Sequence, residues 1–445
     1  MASYLLRNSP VPTSEKKFTF STWLKLSSVS TAADNGIVEW YKTSSERHQI
    51  LIDSSTRQLR CYSVEGGVVK INIYSNIALR DCNGWYHILI QSDNTLASSS
   101  DRFKLWVNGV AQTFSSYTWD FPQNSNINVF DGSGTRLNLG TRGEAYATWL
   151  NGILADTYYI DGSIIAHTQF GETDATTGIW KPKTEPTIAS FGNAGVHLKY
   201  ENSGNIGLDS SGLGNNFSTS GTITQTVDTP TNNFATLNAL IPNVAGNCTL
   251  SAGNTKIVSA DAAHRNAPTT MALKTGSGKW YWEMKAERMS THIKTGIVFD
   301  EWNKINQSSP TEEFSGSNEG YAYRNDGQKE NNGVTAYGSS YTVGDIIGIA
   351  FDAENRKLYF SKNGTWQNSA DPAAGTGEAF TVQDNLFYYP IVNLYNADVS
   401  FNFGNGYFGT TPVASAGSNG NGAIFEFDCP SGYYALNTKN INTYG

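Results

Sequence analysis

The chemistry open to a chain is set first by how its carboxylates, imidazoles, hydroxyls and thiols are spaced. Retaining hydrolysis of a glycoside needs two carboxyls about 5 Å apart, most simply delivered from one face of one strand. The nearest approach is Glu172-Thr173-Asp174 in GETDATTG. It lacks a third acid, and it reads as a turn and helix exit in which Asp174 bonds local backbone. Glu283 and Glu287 in WEMKAE lie four apart, so they share a strand face with Lys285 and read as an exposed charge row. Asp209-Ser210-Ser211-Gly212 sits in a glycine-rich stretch with no histidine partner in view and reads as a turn, not as a nucleophilic serine. The six histidines (His48, His87, His167, His197, His264 and His292) show no His-x-x-x-His spacing, so zinc chemistry is not expected. His87, in WYHILI, reads as strand surface. Cys61, Cys82, Cys248 and Cys429 are scattered without a C-x-x-C and read as reduced structural thiols; their spacing leaves a Cys61–Cys82 bridge open. No phosphate-cradling glycine loop precedes a helix.

Binding without catalysis suits the composition better. Saccharides offer polar rims and apolar ring faces, which Trp and Tyr stack on while Asn, Asp and Arg bond the hydroxyls. The stretch DEWNKINQSSPTEEFSGSNEGYAYRNDG, residues 300–327, combines these side chains in a long insertion between strands. Trp302, Tyr321, Tyr323, Arg324 and Asp326 are the ligand-binding candidates there, and Trp366 joins them from just beyond a nearby hairpin. Tyr321 and Tyr323 are two apart and share a face, so core packing competes with ligand contact for both.

The elements that must position these residues are strands. The chain has 445 residues, enough for two or three domains, with 43 Gly, 12% aromatic and 16% charged residues. FTFSTWLKLSS alternates with the two-residue period of a half-buried strand, and GIVEWYK, HQILIDSS, QLRCYSV, VVKINIYS, WYHILIQSD and FKLWVNG follow at turn-separated intervals. This reads as an antiparallel sandwich or jelly roll over about 1–180, with SIIAHTQFG as a short helical stretch. Residues 181–245, rich in Gly, Ser, Thr and Asn, read as an extended connector that Phe217, Val227, Phe234 and Leu237 could pin down. A second sandwich follows over 246–408, then a tail over 409–445. FKLWVNGV and KLYFSKNGTW each place Lys-Leu-aromatic before Asn-Gly, the signature of a tight hairpin in which both turn residues take positive φ. The shared motif is a requirement of sandwich construction and not an internal repeat.

Formal net charge is −8, with 14 basic and 14 acidic side chains before residue 171, so the acidity lies beyond it and no basic stripe suggests nucleic-acid binding. No run of 18 apolar residues suggests a membrane span, and the first 21 residues lack the apolar core and cleavage site of a secretory signal, so synthesis in a cytoplasm is expected.

FTFSTWLKLSS, GWYHILIQSD, FKLWVNGV, LNGILADTYYIDG and FGETDATTGIWKPK resemble laminin-G-like, concanavalin A-type jelly rolls, most closely those of structural proteins of tailed bacteriophages. GLDSSGLGNNFS and DTPTNNFATLN resemble the connector of the same phage proteins. GKWYWEMKAE, TGIVF, GDIIGIAFDAENRKLYFSKNGTW and YYPIVNLYNADVSFNFG resemble the SPRY (B30.2-like) domain. The resemblance implies an all-β, non-enzymatic virion protein of the tail-fibre or receptor-binding type, located on the tail or capsid surface. Its partners would be a host-surface glycan or envelope component and other virion proteins. It also implies a symmetric homo-oligomer such as a trimer. A head-decoration or tail component without receptor activity is the alternative, and a polysaccharide depolymerase ranks third for want of paired acids. No cofactor is expected, although jelly rolls of this type sometimes hold calcium, for which Asp93, Asp101 and Asp131 are the loop acids available.

Overall fold

The computed structural model describes residues 3–27, 33–143, 148–184, 186–241, 244, 247–260, 262–299, 314–316 and 318–445. The chain divides into two compact units, Met1–Gln225 and Thr226–Gly445, both built of antiparallel sheets.

In the first unit an eight-stranded sheet runs in the order Phe114–Trp119, Val68–Ala78, Gln58–Glu65, Glu46–Ile52, Asn35–Thr43, Arg136–Leu139, Tyr4–Asn8 and Ser218–Ser220. A six-stranded sheet runs Val196–Leu198, Gly152–Asp161, Lys17–Leu26, Trp85–Asp93, Phe103–Val107 and Val110–Ala111. The alternation in FTFSTWLKL sends Phe18 and Phe20 inward, where they meet Trp40, and Phe18 also meets Phe130 and Tyr159. The connector expected over 181–245 does not exist as a separate piece. Its first part supplies an edge strand to each sheet, Val196–Leu198 and Ser218–Ser220, and Phe217 is buried beneath the Arg7 guanidinium at 5.2 Å. A boundary at residue 180 would cut through the strand Trp180–Pro182, which pairs with Gly171–Thr173. SIIAHTQFG contributes a single 3-10 turn, His167–Gln169.

In the second unit two long strands carry the architecture. Lys279–Phe299 and Phe387–Asn402 pair along almost their whole length, with bulges between Ala286 and Arg288 and between Met289 and His292. One end of Lys279–Phe299 pairs with Ile346–Asp352 and the other with Gly320–Arg324, so one strand serves both ends of the sheet. Trp280, Trp282, Met284, Phe351, Phe360 and Phe401 fill the core. The residues after 408 are no detached tail. Tyr434–Ala435 adds a parallel strand against Trp280 and Tyr281, and Phe425, Cys429, Tyr433 and Leu436 are buried. A terminal helix, Thr438–Tyr444, is capped by the Asn437 side chain on the Asn440 amide.

Both Asn-Gly hairpins form as expected. Asn108 and Gly109 have φ of 48° and 75°, and Asn363 and Gly364 have 48° and 77°. The asparagine does the same work in each. Its side-chain oxygen accepts the amide of the neighbouring strand, His87 at 2.7 Å in one unit and Ile346 at 2.8 Å in the other. Each glycine also lies under an aromatic ring, so that an added Cβ would sit 2.5 Å from Trp180 at Gly109 and 2.7 Å from Phe427 at Gly364.

Candidate functional site

Alternation along Lys279–Phe299 fixes which side chains share a face. Ile293, Ile297 and Phe299 point into the core, whereas Lys294 points outward, across from Asn393 on one neighbouring strand and Arg324 on the other. The buried Lys294 ammonium lies 2.8 Å from Glu330, and Arg324 reaches the same carboxylate oxygen at 2.7 Å while pairing with Asp326 at 3.0 Å. Burial pushes the Glu330 carboxyl up, but the two cations more than offset this and hold it below the ordinary carboxylate range. Buried charges are tolerated only with such partners. Arg324 and Asp326 therefore do come together, as half-exposed and exposed members of an ion-pair network that braces the turn ahead of Gln328–Glu330. Asp326 also accepts the Gln328 amide at 3.1 Å. Lys294 and Glu330 were missed in the sequence, although Lys294 lies two residues from His292 at strand period.

The other candidates fare differently. Tyr321 and Tyr323 are buried in the core, Tyr321 against Phe380 and Tyr388, Tyr323 against Tyr337, Tyr341 and Phe360, and the Tyr323 hydroxyl donates to the Ser339 carbonyl. They cannot meet a ligand, because their strand turns that face toward the second layer. Trp366 is half-buried, edge-on to Tyr281 in a satellite cluster beneath the C-terminal segment. Trp302 lies outside the described residues.

Glu283 corrects the expected charge row. Its side chain is fully buried, because the C-terminal segment covers the face that would otherwise be exposed. Its carboxyl accepts the amides of Glu426 and Phe427, both at 2.9 Å, together with Asn402 Nδ2 and the Tyr281 hydroxyl, both at 3.1 Å. Burial raises it to about 7 in spite of those donors. Asp174 and Asp209 are turn residues as read. Asp174 accepts the amides of Thr176 and Thr177 and pairs with Lys181 at 2.9 Å, and Asp209 accepts those of His197, Ser211 and Asn215. His87 is not surface. It is fully buried and stacked between Trp23 and Trp180, whose indole N–H donates to Nδ1 at 3.1 Å; Nε2 therefore carries the proton and donates to Ser21 Oγ at 2.8 Å. All four cysteines are free thiols. Of the loop acids weighed for calcium, Asp93 pairs with Lys17 and Asp131 with Lys42, and no metal-holding cluster of three His, Cys, Asp or Glu occurs among the described residues.

The first unit carries a second polar surface that the sequence did not announce. On the outer face of the eight-stranded sheet, register places Arg60 and Tyr62 beside Tyr74 and Asn72. The Arg60 guanidinium lies 4.4 Å from the Tyr62 ring centre and 4.8 Å from that of Tyr74, and its Nε donates to Asn72 Oδ1 at 2.9 Å. All four side chains are half-exposed. Two strands away Glu39 is buried on the same face. It accepts Gln49 Nε2 at 2.5 Å and Asn138 Nδ2 at 3.3 Å, and burial raises it to about 7. Gly143 lies over it, where an added Cβ would come 2.5 Å from the carboxyl. Arg142, from the same loop, pairs with Asp34.

Two units built of antiparallel sheets around aromatic cores define a class of β-sandwich modules. Within that class, residues 2–158 match the concanavalin A-like lectin/glucanases superfamily (laminin G type) and residues 279–406 match the SPRY domain. The chain is thus an all-β protein carrying a laminin-G-like, concanavalin A-like domain followed by a SPRY domain. The ATP-dependent RNA helicase Ddx1 of Drosophila melanogaster is 38% identical over 89 residues, which span 19% of this chain and 11% of the helicase. Among solved structures, the SPRY domain of human HERC1 is 20% identical with a TM-score of 0.29, covering 37% of this chain and 96% of that one. A human SPRY domain is 15% identical with a TM-score of 0.27, covering 35% and 94%.

Proposed function

We propose that this chain is a non-catalytic virion protein of a tailed bacteriophage that recognises a host-surface glycan or envelope component. The order in sequence of the jelly-roll motifs, the runs GLDSSGLGNNFS and DTPTNNFATLN, and the SPRY motifs supports the virion setting by resemblance. The recognition surface is the outer face of the eight-stranded sheet in the first unit and not the loops of the second, since two of the tyrosines read as ligand contacts there are core. The observation that carries this is the Arg60 guanidinium stacked on both Tyr62 and Tyr74 on an open sheet face. Stacking orients the guanidinium so that its in-plane N–H groups can meet hydroxyls, and the phenol rings supply apolar faces beside them.

The test is co-sedimentation of labelled, purified full-length protein with host cells and with unrelated bacteria. Saturable, host-restricted binding that Arg60→Ala with Tyr62→Ala weakens at least about tenfold, with melting temperature nearly unchanged, is the expected result. Self-association or virion binding without cell binding would instead assign a structural role as a decoration or tail component. Release of reducing ends from host polysaccharide that Glu39→Gln abolishes would make the protein a depolymerase and overturn the non-catalytic reading.

A further inference from the structure

Three strands of the second unit bring two histidines to one spot. In the antiparallel register Asn266 and Lys294 both stand opposite Asn393, and His292 stands opposite Tyr395. His264 immediately precedes the strand Arg265–Pro268, and His292 follows the bulge that begins at Met289. The two imidazoles stack at 5.0 Å, with Tyr395 against both, and His292 Nε2 lies 3.3 Å from His264 Nδ1. Asn393 Oδ1 lies 3.2 Å from that same Nδ1. Asn393 Nδ2 donates to Asn266 Oδ1 at 2.8 Å in a fully buried position, and the Asn393 carbonyl oxygen faces the histidines.

Zinc bound tetrahedrally by nitrogen at about 2.0–2.1 Å sets its donor atoms about 3.3–3.4 Å apart. The nitrogen–nitrogen and nitrogen–oxygen separations here match that edge. We propose that His264 Nδ1, His292 Nε2 and Asn393 Oδ1 form a binding site for a first-row divalent transition metal ion such as Zn²⁺, with water completing the coordination. Both rings are half-exposed, which gives an ion access. Among the described residues, Lys294, Arg324 and Glu330 bear electrostatically on the pair, and Asp326 pairs Arg324. A bound ion would tie the start of the strand Arg265–Pro268 to the middles of the two long strands. The absence of a His-x-x-x-His spacing hides such a site, because its ligands come from three strands.

The experiment is calorimetric titration of the tag-free, chelator-treated full chain with ZnCl₂, followed by cobalt substitution read by its visible absorption. One equivalent bound with micromolar affinity, lost at least about tenfold in His264→Ala and in His292→Ala and unchanged when the exposed Val11 is replaced by alanine, supports the site. Protection of His264 and His292 from diethyl pyrocarbonate by Zn²⁺, mapped by mass spectrometry on the unaltered protein, gives the same answer should either variant fail to fold. Absence of saturable uptake, or uptake that both histidine variants retain with neither histidine protected, would overturn the proposal and leave a hydrogen-bonded histidine pair.

Discussion

Glu283 holds the C-terminal segment on the second unit, and its protonation should be visible in stability. Its carboxyl is raised by burial from near 4.5 to about 7, a shift worth about 3 kcal/mol. The sign follows from the folded value lying above the unfolded one. The contribution is complete below about pH 4.5, falls as pH rises toward 7, and is gone above it. The geometry permits the neutral acid, since the Tyr281 hydroxyl can reverse and accept the Oε1 proton while the amides of Glu426 and Phe427 and Asn402 Nδ2 keep their acceptors. Glu283→Gln cannot satisfy every group, because an amide nitrogen placed toward Tyr281 would face the Phe427 N–H. It should cost about 1–3 kcal/mol at pH 5. The cost should shrink or reverse at pH 8, where the native side chain is a buried anion. Glu283→Ala, which strands four donors, should cost about 4 kcal/mol at pH 5 and release the segment after residue 408 to proteolysis. Urea unfolding of each variant at pH 5 and 8, with hydrogen exchange at Glu426 and Phe427, measures both effects. Parallel pH profiles for the native chain and Glu283→Gln, or unchanged protection of those two amides in Glu283→Ala, would refute the reasoning.

Other consequences are as direct. His48 is buried among Phe18, Trp40 and Phe130, and burial lowers it to about 3, so it stabilises the first unit above its unfolded value near 6.5 and that contribution drains away as pH falls; His48→Gln should flatten the acid limb of the first unit's unfolding profile. Gly109→Ala must displace Trp180 and hold alanine at positive φ, so it should cost roughly 2–3 kcal/mol in urea unfolding, against about 1 for Gly66→Ala, where φ is also positive but no atom lies within 4 Å. Arg324→Ala leaves Glu330 paired with buried Lys294, so its cost should stay near 1 kcal/mol, whereas Lys294→Ala should cost roughly 2 kcal/mol, because it removes the buried cation and leaves Glu330 with the half-exposed Arg324 alone; thermal melts of the two variants check the order.

Local patterns in the sequence settled the strands and their hairpins. Two-residue alternation in FTFSTWLKL and the Asn-Gly pairs at 108–109 and 363–364 depend on backbone sterics and side-chain direction, which neighbouring residues decide. The resemblance likewise located the two sandwich domains. Tertiary structure decided which outward faces remain outward. WEMKAE has the same alternation whether its polar face meets water or a returning segment 143 residues later, so Glu283 could not be told from an exposed acid. His87 could not be told from strand surface for the same reason, because Trp180 covers it from a hairpin far along the chain. Tyr321 and Tyr323 were legible as sharing a face, but the layer that buries that face comes from other strands. Arg60, Tyr62 and Tyr74 meet only through pairing register, and His264, His292 and Asn393 only through the register of three neighbouring strands. Sheets join residues distant in sequence, so a strand's own residues fix its two faces, while the assembled sandwich determines what each face touches.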